Sequence, residues 1–209
     1  MAGTRKTRAN GEESRRKIID AALEIAAERG YDGTSISLVS ERSGLPASSI
    51  YWHFADKDAL IAAVIQHSFD RWLGLMEDAF EDTDPHEALT RSMRRVGKAI
   101  VEAPDFLRLG LMLTLERRPE EPTARAIFLK VREATRVESE VHYRKVFGSR
   151  LDDNGISSLA LMAMAASDGL FIAREIEGDT LDMEQAFELI GVALNAVADH
   201  LAEGTYCPN

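Results

Sequence analysis

The sequence predicts an all-α fold, with three N-terminal helices and a larger helical region behind them. Apolar residues recur at intervals of three and four along most of the chain, as on the buried face of an amphipathic helix. Residues that favour helix starts precede these runs, and glycine or proline follows them. We predict a helix-turn-helix domain with a basic arm over residues 1–58, and a second helical domain over residues 59–209.

The first predicted elements lie before residue 60. Ser14 is a good N-cap for a helix that Gly30 ends. Its apolar face holds Ile18, Ala21, Ala22, Ile25 and Ala26. Two short helices then fall within residues 34–60, and Gly44 between them suits a tight turn that needs unusual backbone angles.

A long helix is predicted next, with Asp56 as its N-cap and an end near Phe80. Its apolar stripe is Ile61, Ile65, Phe69, Trp72, Met76 and Phe80. The segment Thr83-Asp84-Pro85 breaks this helix, and Asp84 caps the following one, with Pro85 first and Glu87 at the capping-box position.

Four further helices are predicted: one from Ala103-Pro104 to Arg117-Arg118-Pro119, one from Thr123 to Phe147, one from near Ile156 to Glu177, and one from Asp182 to Ala202. The last two differ from the others because they are apolar or small on nearly every side. Such helices must be buried on several sides. We expect a second subunit to supply part of that burial; contacts within one chain are the alternative.

Composition indicates a globular protein that spans no membrane. Hydrophobic residues make up 45% of the 209, without a long apolar run. Residues 1–11 are polar and basic, which does not fit a signal peptide. The single cysteine, Cys207, excludes an internal disulfide and fits a reducing cytoplasm. We therefore expect a cytoplasmic protein.

The net charge of −10 is unevenly distributed. Residues 1–60 hold nine basic and nine acidic residues, so residues 61–209 carry the whole excess of acid. Six of the first 17 residues form a basic arm: Arg5, Lys6, Arg8, Arg15, Arg16 and Lys17. Such an arm can reach DNA phosphates or a minor groove. A solubilising tail is the alternative.

Catalytic and metal-binding motifs are not found in the sequence. It contains no Gly-rich phosphate loop, G-x-S-x-G, H-E-x-x-H or C-x-x-C. The five histidines are scattered without metal-ligand spacing. Asp152-Asp153 beside Asn154-Gly155 predicts a turn and helix cap rather than a catalytic carboxylate pair. We expect no enzyme activity, no metal and no cofactor.

The segment over residues 34–60 carries the most specific pattern. Its second short helix presents Ser48, Ser49, Tyr51, Trp52 and His53, and Lys57 opens the next helix. Hydroxyls, aromatic polar tips and a cation on one short surface suit contacts with DNA phosphates and base edges. A merely solvated helix is the alternative.

This segment resembles the DNA-binding domain of the TetR (tetracycline repressor) family of transcription regulators. The residues that match at the family's spacing are Thr34, Gly44, Tyr51, His53, Phe54, Lys57 and Leu60. The departures are Val39 and Ser43 for two alanines, Leu45 for valine and Pro46 for serine. Pro46 has no side-chain acceptor for a cap and fits the first helical position, which leaves the helix start open.

The resemblance implies a set of DNA-contacting residues: Thr34, Ser35, Ser37, Ala47, Ser48, Ser49, Tyr51, Trp52, His53 and Lys57. Ala47, Ser48 and Ser49 fall where the family reads bases. None is Arg, Asn or Gln, so the strong bidentate base pairings are absent there. Recognition is therefore expected to depend on phosphate contacts, bridging water and DNA shape.

The resemblance also implies a ligand-responsive repressor. Its partners would be a palindromic double-stranded DNA operator, a small apolar or amphipathic effector, and a second copy joined through the last two helices. The alternative from another class is a helical protein-interaction module whose helix-turn-helix is vestigial.

A ligand pocket is expected in the second domain. Its predicted ligand-binding residues are Trp72, Met76, Met93, Phe106, Leu109, Met112, Phe128, Tyr143, Met162 and Asp168. Leu113 and Met164 are further wall candidates, and Arg94 and His142 further polar anchors. Methionine supplies adaptable, polarizable surface for a ligand. The alternative for each of these residues is an ordinary core position or a satisfied helix residue.

Overall fold

The computed structural model describes residues 3–76, 85–116 and 122–204, and the regular elements in these ranges are all helical. They are α1 (Gly3–Gly33), α2 (Ile36–Ser43), α3 (Ala47–His53), α4 (Lys57–Gly74), α5 (Pro85–Glu102), α6 (Asp105–Leu115), α7 (Thr123–Phe147), α8 (Asp153–Glu177) and α9 (Met183–Ala202). A short 3-10 turn (Gly178–Thr180) lies between the last two. The predicted all-α fold is confirmed.

The helices form two compact units. Unit 1 comprises Met1–Asp70 and Asp105–Lys130, and unit 2 comprises Arg71–Pro104 and Val131–Asn209. The units are defined by packing and alternate along the chain. The functional boundary expected near residue 58 remains a prediction.

Helix α1 begins at Gly3, well before Ser14. Ser14 lies inside the helix and its hydroxyl donates to the carbonyl of Asn10 at 2.9 Å, so the predicted N-cap is wrong. The predicted end is confirmed, because Gly30 has a non-helical, left-handed φ of 70° and interrupts α1. The buried face of α1, which includes Ile18 and Ile25, packs within unit 1 against α2, α3 and α6.

The predicted helix–turn–helix is present. Ser35 is the N-cap of α2, since its hydroxyl accepts from the Leu38 amide at 3.3 Å. Gly44 adopts the left-handed conformation, φ 69°, at the end of α2. Pro46 precedes α3 as a non-helical residue without a side-chain cap, so the helix begins one residue later than the first-position expectation, at Ala47.

Helix α4 has the predicted start and an earlier end. Asp56 caps it by accepting a hydrogen bond from the Ala59 amide at 2.8 Å. The helix ends at Gly74 rather than near Phe80. Phe80, Thr83 and Asp84 lie outside the described residues, and Pro85 opens α5 as predicted.

The later helices follow their predicted bounds closely. Asp152 caps α8 through the Gly155 amide at 2.8 Å, which confirms the predicted cap. Asp182 caps α9 through the Gln185 amide at 3.0 Å. The predicted end of α6 at Arg117-Arg118-Pro119 lies outside the described residues, as does Cys207.

Within unit 1, the Asp58 carboxylate links α4 to the start of α7. Asp58 on α4 accepts from the Thr123 amide at 2.7 Å and from the Ala124 amide at 3.3 Å. Burial alone would raise the pKa of Asp58, but hydrogen bonds from Thr123, Ala124 and Tyr31 lower it. The carboxylate therefore remains charged and caps α7 from another helix.

Unit 2 is built on the pairing of α5 with α9. A side chain at Gly97 would come within 2.6 Å of the Phe187 ring, and one at Gly191 within 2.5 Å of the Thr90 Cα atom. Only glycine lets the helices approach this closely at both points. As α5 runs forward from Thr90 to Gly97, its partners on α9 run backward, so the pair is antiparallel.

Candidate DNA-binding and ligand-binding sites

Helix α3 presents its polar and aromatic residues to solvent. Ile50 is fully buried and anchors the helix. Tyr51 and Trp52 are 56% and 77% exposed, which is unusual for large aromatic side chains. Ser48 is exposed, while Ala47 and Ser49 are half-buried. The helix therefore offers two aromatic tips and hydroxyls, without a cation of its own.

The three candidates at the start of α2 divide into two kinds. Ser35 and Ser37 are exposed. Thr34 is only 1% exposed, and its hydroxyl donates to the Gly30 carbonyl at 2.8 Å. Thr34 therefore holds α2 in place relative to the break in α1, and its buried side chain offers nothing to a DNA phosphate in this structure. A direct contact of Thr34 with DNA therefore stays a prediction, which burial of the side chain does not favour.

His53 closes α3 between the exposed Trp52 ring and the buried Phe54 ring, whose centroid lies 6.1 Å from the imidazole. Its imidazole meets the Trp52 ring edge-on at 4.5 Å between centroids. Burial, and secondarily the positive charge of Arg15, lower the pKa of His53. His53 is therefore neutral at neutral pH, with one nitrogen that donates and one that accepts.

The basic arm lies within α1 rather than ahead of it. The guanidinium of Arg15 lies 5.2 Å from the centroid of the Phe54 ring, just after α3. Arg16 and Lys17 are exposed on the same helix. The side chains of Arg5, Lys6 and Arg8 lie outside the described part of the chain.

Lys57 is held by a residue that the sequence did not single out. Its ammonium donates to the Tyr31 carbonyl at 3.2 Å and sits 4.3 Å above the Tyr31 ring. An ammonium has three N–H groups, so two remain for an anion. Tyr31 thus fixes the position of this cation beside α3.

The predicted ligand-binding residues do not gather in one unit. Unit 1 holds Phe106, Leu109, Met112 and Phe128, and unit 2 holds Trp72, Met76, Met93, Tyr143, Met162 and Asp168. Several are plain core. The Phe106 ring lies 5.3 Å from Phe69 and 5.2 Å from Phe128, and Met76 packs with Trp72 and Ala99. The predicted pocket remains a prediction.

The polar candidates Asp168, Tyr143 and His142 all lie in unit 2. The sequence predicts a buried Asp168 that needs a partner; it is half-buried, and Arg132 on α7 donates to both of its oxygens at 2.8 and 2.6 Å. Burial raises the pKa of Tyr143, and burial together with Lys145 lowers that of His142, so both are uncharged. Met162, by contrast, is exposed on α8.

A cavity of about 770 Å³ lies in unit 2, between α5, the end of α8 and the start of α9. Its lining includes five cations, Arg91, Arg94, Arg95, Lys98 and Arg174, and two carboxylates, Glu102 and Glu184. Among these residues, only Arg94 is predicted from the sequence, as a polar anchor of a ligand pocket. The signal that could have found Arg91, Arg95 and Lys98 is the spacing of the α5 cations by three and four, which places them along one helix face.

Apolar side chains lie exposed along α8 and α9. Leu161 and Ile176 on α8 are 63% and 75% exposed, and Leu189 and Val192 on α9 are similarly exposed. By length and composition alone, α8 is also long and apolar enough to cross a membrane. Among the residues that the structure describes, no group of three or more His, Cys, Asp or Glu could hold a metal.

Comparison with known proteins gives a consistent result. Residues 18–64 match the family model for bacterial regulatory proteins of the tetR family. The transcriptional regulator SrpR from Pseudomonas putida is 31% identical over 102 residues, 47% of this chain and 43% of SrpR. The uncharacterized regulator TtgW, also from Pseudomonas putida, is 30% identical over 102 residues, 47% of this chain and 69% of TtgW.

The fold is shared with a regulator solved together with its ligands. The structure of AibR in complex with isovaleryl coenzyme A and operator DNA superposes with a TM-score of 0.67 and 16% identity. The match covers 86% of this chain and 97% of AibR. Among curated relatives the coverage is smaller, since the matched region spans less than half the length of SrpR.

Proposed function

The chain belongs to the tetR family of bacterial regulatory proteins, and we propose that it is a ligand-responsive, DNA-binding transcription regulator that acts as a homodimeric repressor. The observation that carries this proposal is α3, a short helix anchored by Ile50 with two large aromatic side chains turned to solvent. Exposed aromatics and hydroxyls after a Gly44 turn fit a helix that docks in a DNA groove.

The proposed DNA contacts are of two kinds: contacts to the phosphate backbone, which position the protein, and contacts to the bases, which recognise the sequence. Lys57, fixed by Tyr31, neutralises a phosphate next to α3, and the Tyr51 hydroxyl and His53 add hydrogen bonds to the backbone. Ser48 and Ser49 face the bases and discriminate weakly by direct contact. Sequence preference then comes mainly from DNA shape and bridging water.

Dimerisation through α8 and α9 follows from their exposed apolar side chains. Isolated apolar residues on a surface need no explanation, but a stripe of them on two adjacent helices of one unit does. A second copy of the same surface would cover both stripes with twofold symmetry. A membrane fits less well, since the Asp168–Arg132 ion pair and the packing against α9 use part of the surface of α8.

The dimer has a direct test. Leu161→Glu should give a monomer or an aggregate, because it places a charge in the proposed interface. Leu115→Glu is the control, since Leu115 is 72% exposed on unit 1. Light scattering measures the oligomeric state of the wild type and both variants, and the Leu115→Glu control should stay dimeric. A wild-type monomer at micromolar concentration, or a membrane-bound wild type, would sink this part of the proposal.

The repressor mechanism rests on geometry between two copies. Recognition helices of a dimer must fit major grooves about 34–36 Å apart. An effector that favours another separation lowers DNA affinity, and linkage requires DNA to lower effector affinity by the same factor. AibR supports the proposal of an effector, because a protein of this fold was solved with both a small molecule and operator DNA.

DNA binding is tested on the DNA upstream of the chain's own gene. Fluorescence anisotropy should show binding that weakens steeply with salt. Tyr51→Ala should reduce operator affinity by tenfold or more, while Leu115→Ala, an exposed apolar control on the same unit, should not. A folded wild type that binds neither this DNA nor random fragments would favour the protein-interaction alternative.

A further inference from the structure

We propose that the cavity in unit 2 is an anion-binding site, and that it takes the carboxylate or phosphate head of a small amphipathic effector. The inference rests on the proposed function in one respect, that an effector exists. It adds the chemical class of that effector and the residues that hold its head.

The cavity is lined by an excess of positively charged side chains. Its lining carries five cations against two carboxylates, and the ion-pair partners Glu87 and Glu188 leave a local excess of one positive charge. It lies in the part of the chain that holds the whole net charge of −10. Like charges this close repel one another, and an acidic protein has no need to collect them for solubility. A bound anion would remove that repulsion.

Three of these five cations have a carboxylate nearby, and two have no ion-pair partner among the described residues. Arg91, Arg94 and Lys98 each have a carboxylate nearby: Glu87 at 3.6 Å, Glu188 at 3.2 Å and Glu102 at 3.8 Å. For Arg95 and Arg174 no side-chain hydrogen bond or ion pair occurs within residues 3–76, 85–116 and 122–204. Among the described residues, two guanidinium groups of the same cavity thus have no side-chain partner.

Arg95 carries the strongest single observation. Its Nη1 atom is buried and has no hydrogen-bond partner in the part of the chain that the structure describes. A buried charged donor without an acceptor is costly and rare in native proteins. A guanidinium matches a carboxylate or phosphate with two parallel hydrogen bonds, which would satisfy this nitrogen.

The rest of the lining supports an amphipathic molecule rather than a bare inorganic ion. Val101, Leu181 and Met183 give the cavity an apolar part. A volume of about 770 Å³ falls in the ordinary range for small-molecule sites. Gly97 also lines the cavity, and at this residue α5 lies too close to Phe187 of α9 to leave room for a side chain.

The test uses the full-length protein and three eight-carbon probes with different heads: octanoate, octyl phosphate and octanol. Isothermal titration should show binding of at least one anionic probe, and octanol should bind at least tenfold more weakly. The better anion identifies the head as carboxylate or phosphate. Inorganic phosphate alone should bind more weakly than octyl phosphate, because it leaves the apolar part empty.

Three variants locate the site. Arg95→Gln and Arg174→Gln should each weaken the anionic probe by about tenfold or more, as expected for a lost charge-assisted hydrogen bond. Arg144→Gln removes an exposed cation of α7, which pairs with Asp153 at the start of α8, and this variant should bind the probe within twofold of the wild type. Circular dichroism and thermal melting confirm that each variant folds.

The inference is overturned if no anionic probe binds, if octanol binds as well as the anions, or if folded Arg95→Gln and Arg174→Gln bind the anions like wild type. It is also overturned if these variants lose DNA affinity and keep anion affinity, since the cations would then serve DNA. DNA anisotropy on the same samples separates the two proposals: anion binding without DNA binding contradicts only the proposed function.

Discussion

The turn segment over residues 34–60 and the α5–α9 pair are specified in different ways. In the turn segment, each decisive residue acts on backbone within a few positions: Ser35 caps α2, Gly44 takes a left-handed conformation, and Asp56 caps α4. In the helix pair, Gly97 and Gly191 matter because of residues about a hundred positions away. The first kind of information can be read from local sequence, and the second exists only in the folded chain.

The largest effect is expected where helix packing leaves no space. Gly191→Ala places a methyl group 2.5 Å from the backbone of Thr90, which cannot move without moving α5. We expect unfolding free energy to fall by about 2 kcal/mol, even though alanine is the better helix former. Denaturant unfolding at a fixed protein concentration measures this, because a dimer's stability depends on concentration.

Gly74→Ala is the matched control, since Gly74 is helical and no atom of the described residues lies within 4 Å of an added methyl group. It should leave stability unchanged or raise it by up to about 1 kcal/mol. Equal effects of the two variants would show that α5 and α9 tolerate a wider separation than the structure has.

A smaller effect is expected at Gly44, where the backbone rather than the space is limiting. No atom lies within 4 Å of an added methyl group, but φ is +69°. Gly44→Ala should lower stability by about 1.5 kcal/mol, and Gly44→Asn by less, because asparagine tolerates this conformation. Thermal and denaturant melting of both variants checks the order. An alanine variant as stable as the asparagine variant would contradict the backbone explanation.

The smallest of the three effects is expected for one hydrogen bond. Thr34→Val removes the buried bond to the Gly30 carbonyl and should cost about 1 kcal/mol. Thr114→Val removes a bond of the same kind and length, to the Gly110 carbonyl inside regular helix α6, and should cost less. Denaturant unfolding measures the loss of unfolding free energy in each of the two variants. If Thr34→Val left stability intact while abolishing DNA binding, Thr34 would be a direct contact after all.

Much of the fold could be predicted because helix ends depend on nearby residues. Asp56, Asp152 and Asp182 each cap the helix that the sequence assigned to them. Ser14 shows the limit of such reasoning. A serine that suits an N-cap also fits inside a helix when its hydroxyl can bond a carbonyl four residues back, as it does to Asn10.

The sites were less predictable because their geometry depends on distant partners. Tyr31 holds Lys57 from 26 positions away, and Arg132 satisfies Asp168 from 36 positions away. No local pattern identifies these pairs. The same holds for the cavity, whose cations come partly from α5 and partly from the end of α8. The α5 cations share one face in the sequence, but only the fold shows what they surround.

The measurement that tests the central claim most directly is the salt dependence of DNA binding in Lys57→Ala. This variant should bind operator and random DNA more weakly by a similar factor, and the slope of log affinity against log salt should flatten by about one. Lys145→Ala, an exposed lysine on α7, should match the wild type in both. Two results would contradict a phosphate contact at Lys57. One is a Lys57→Ala variant with the wild-type salt slope, and the other is a loss of affinity that depends on the base pair at one operator position.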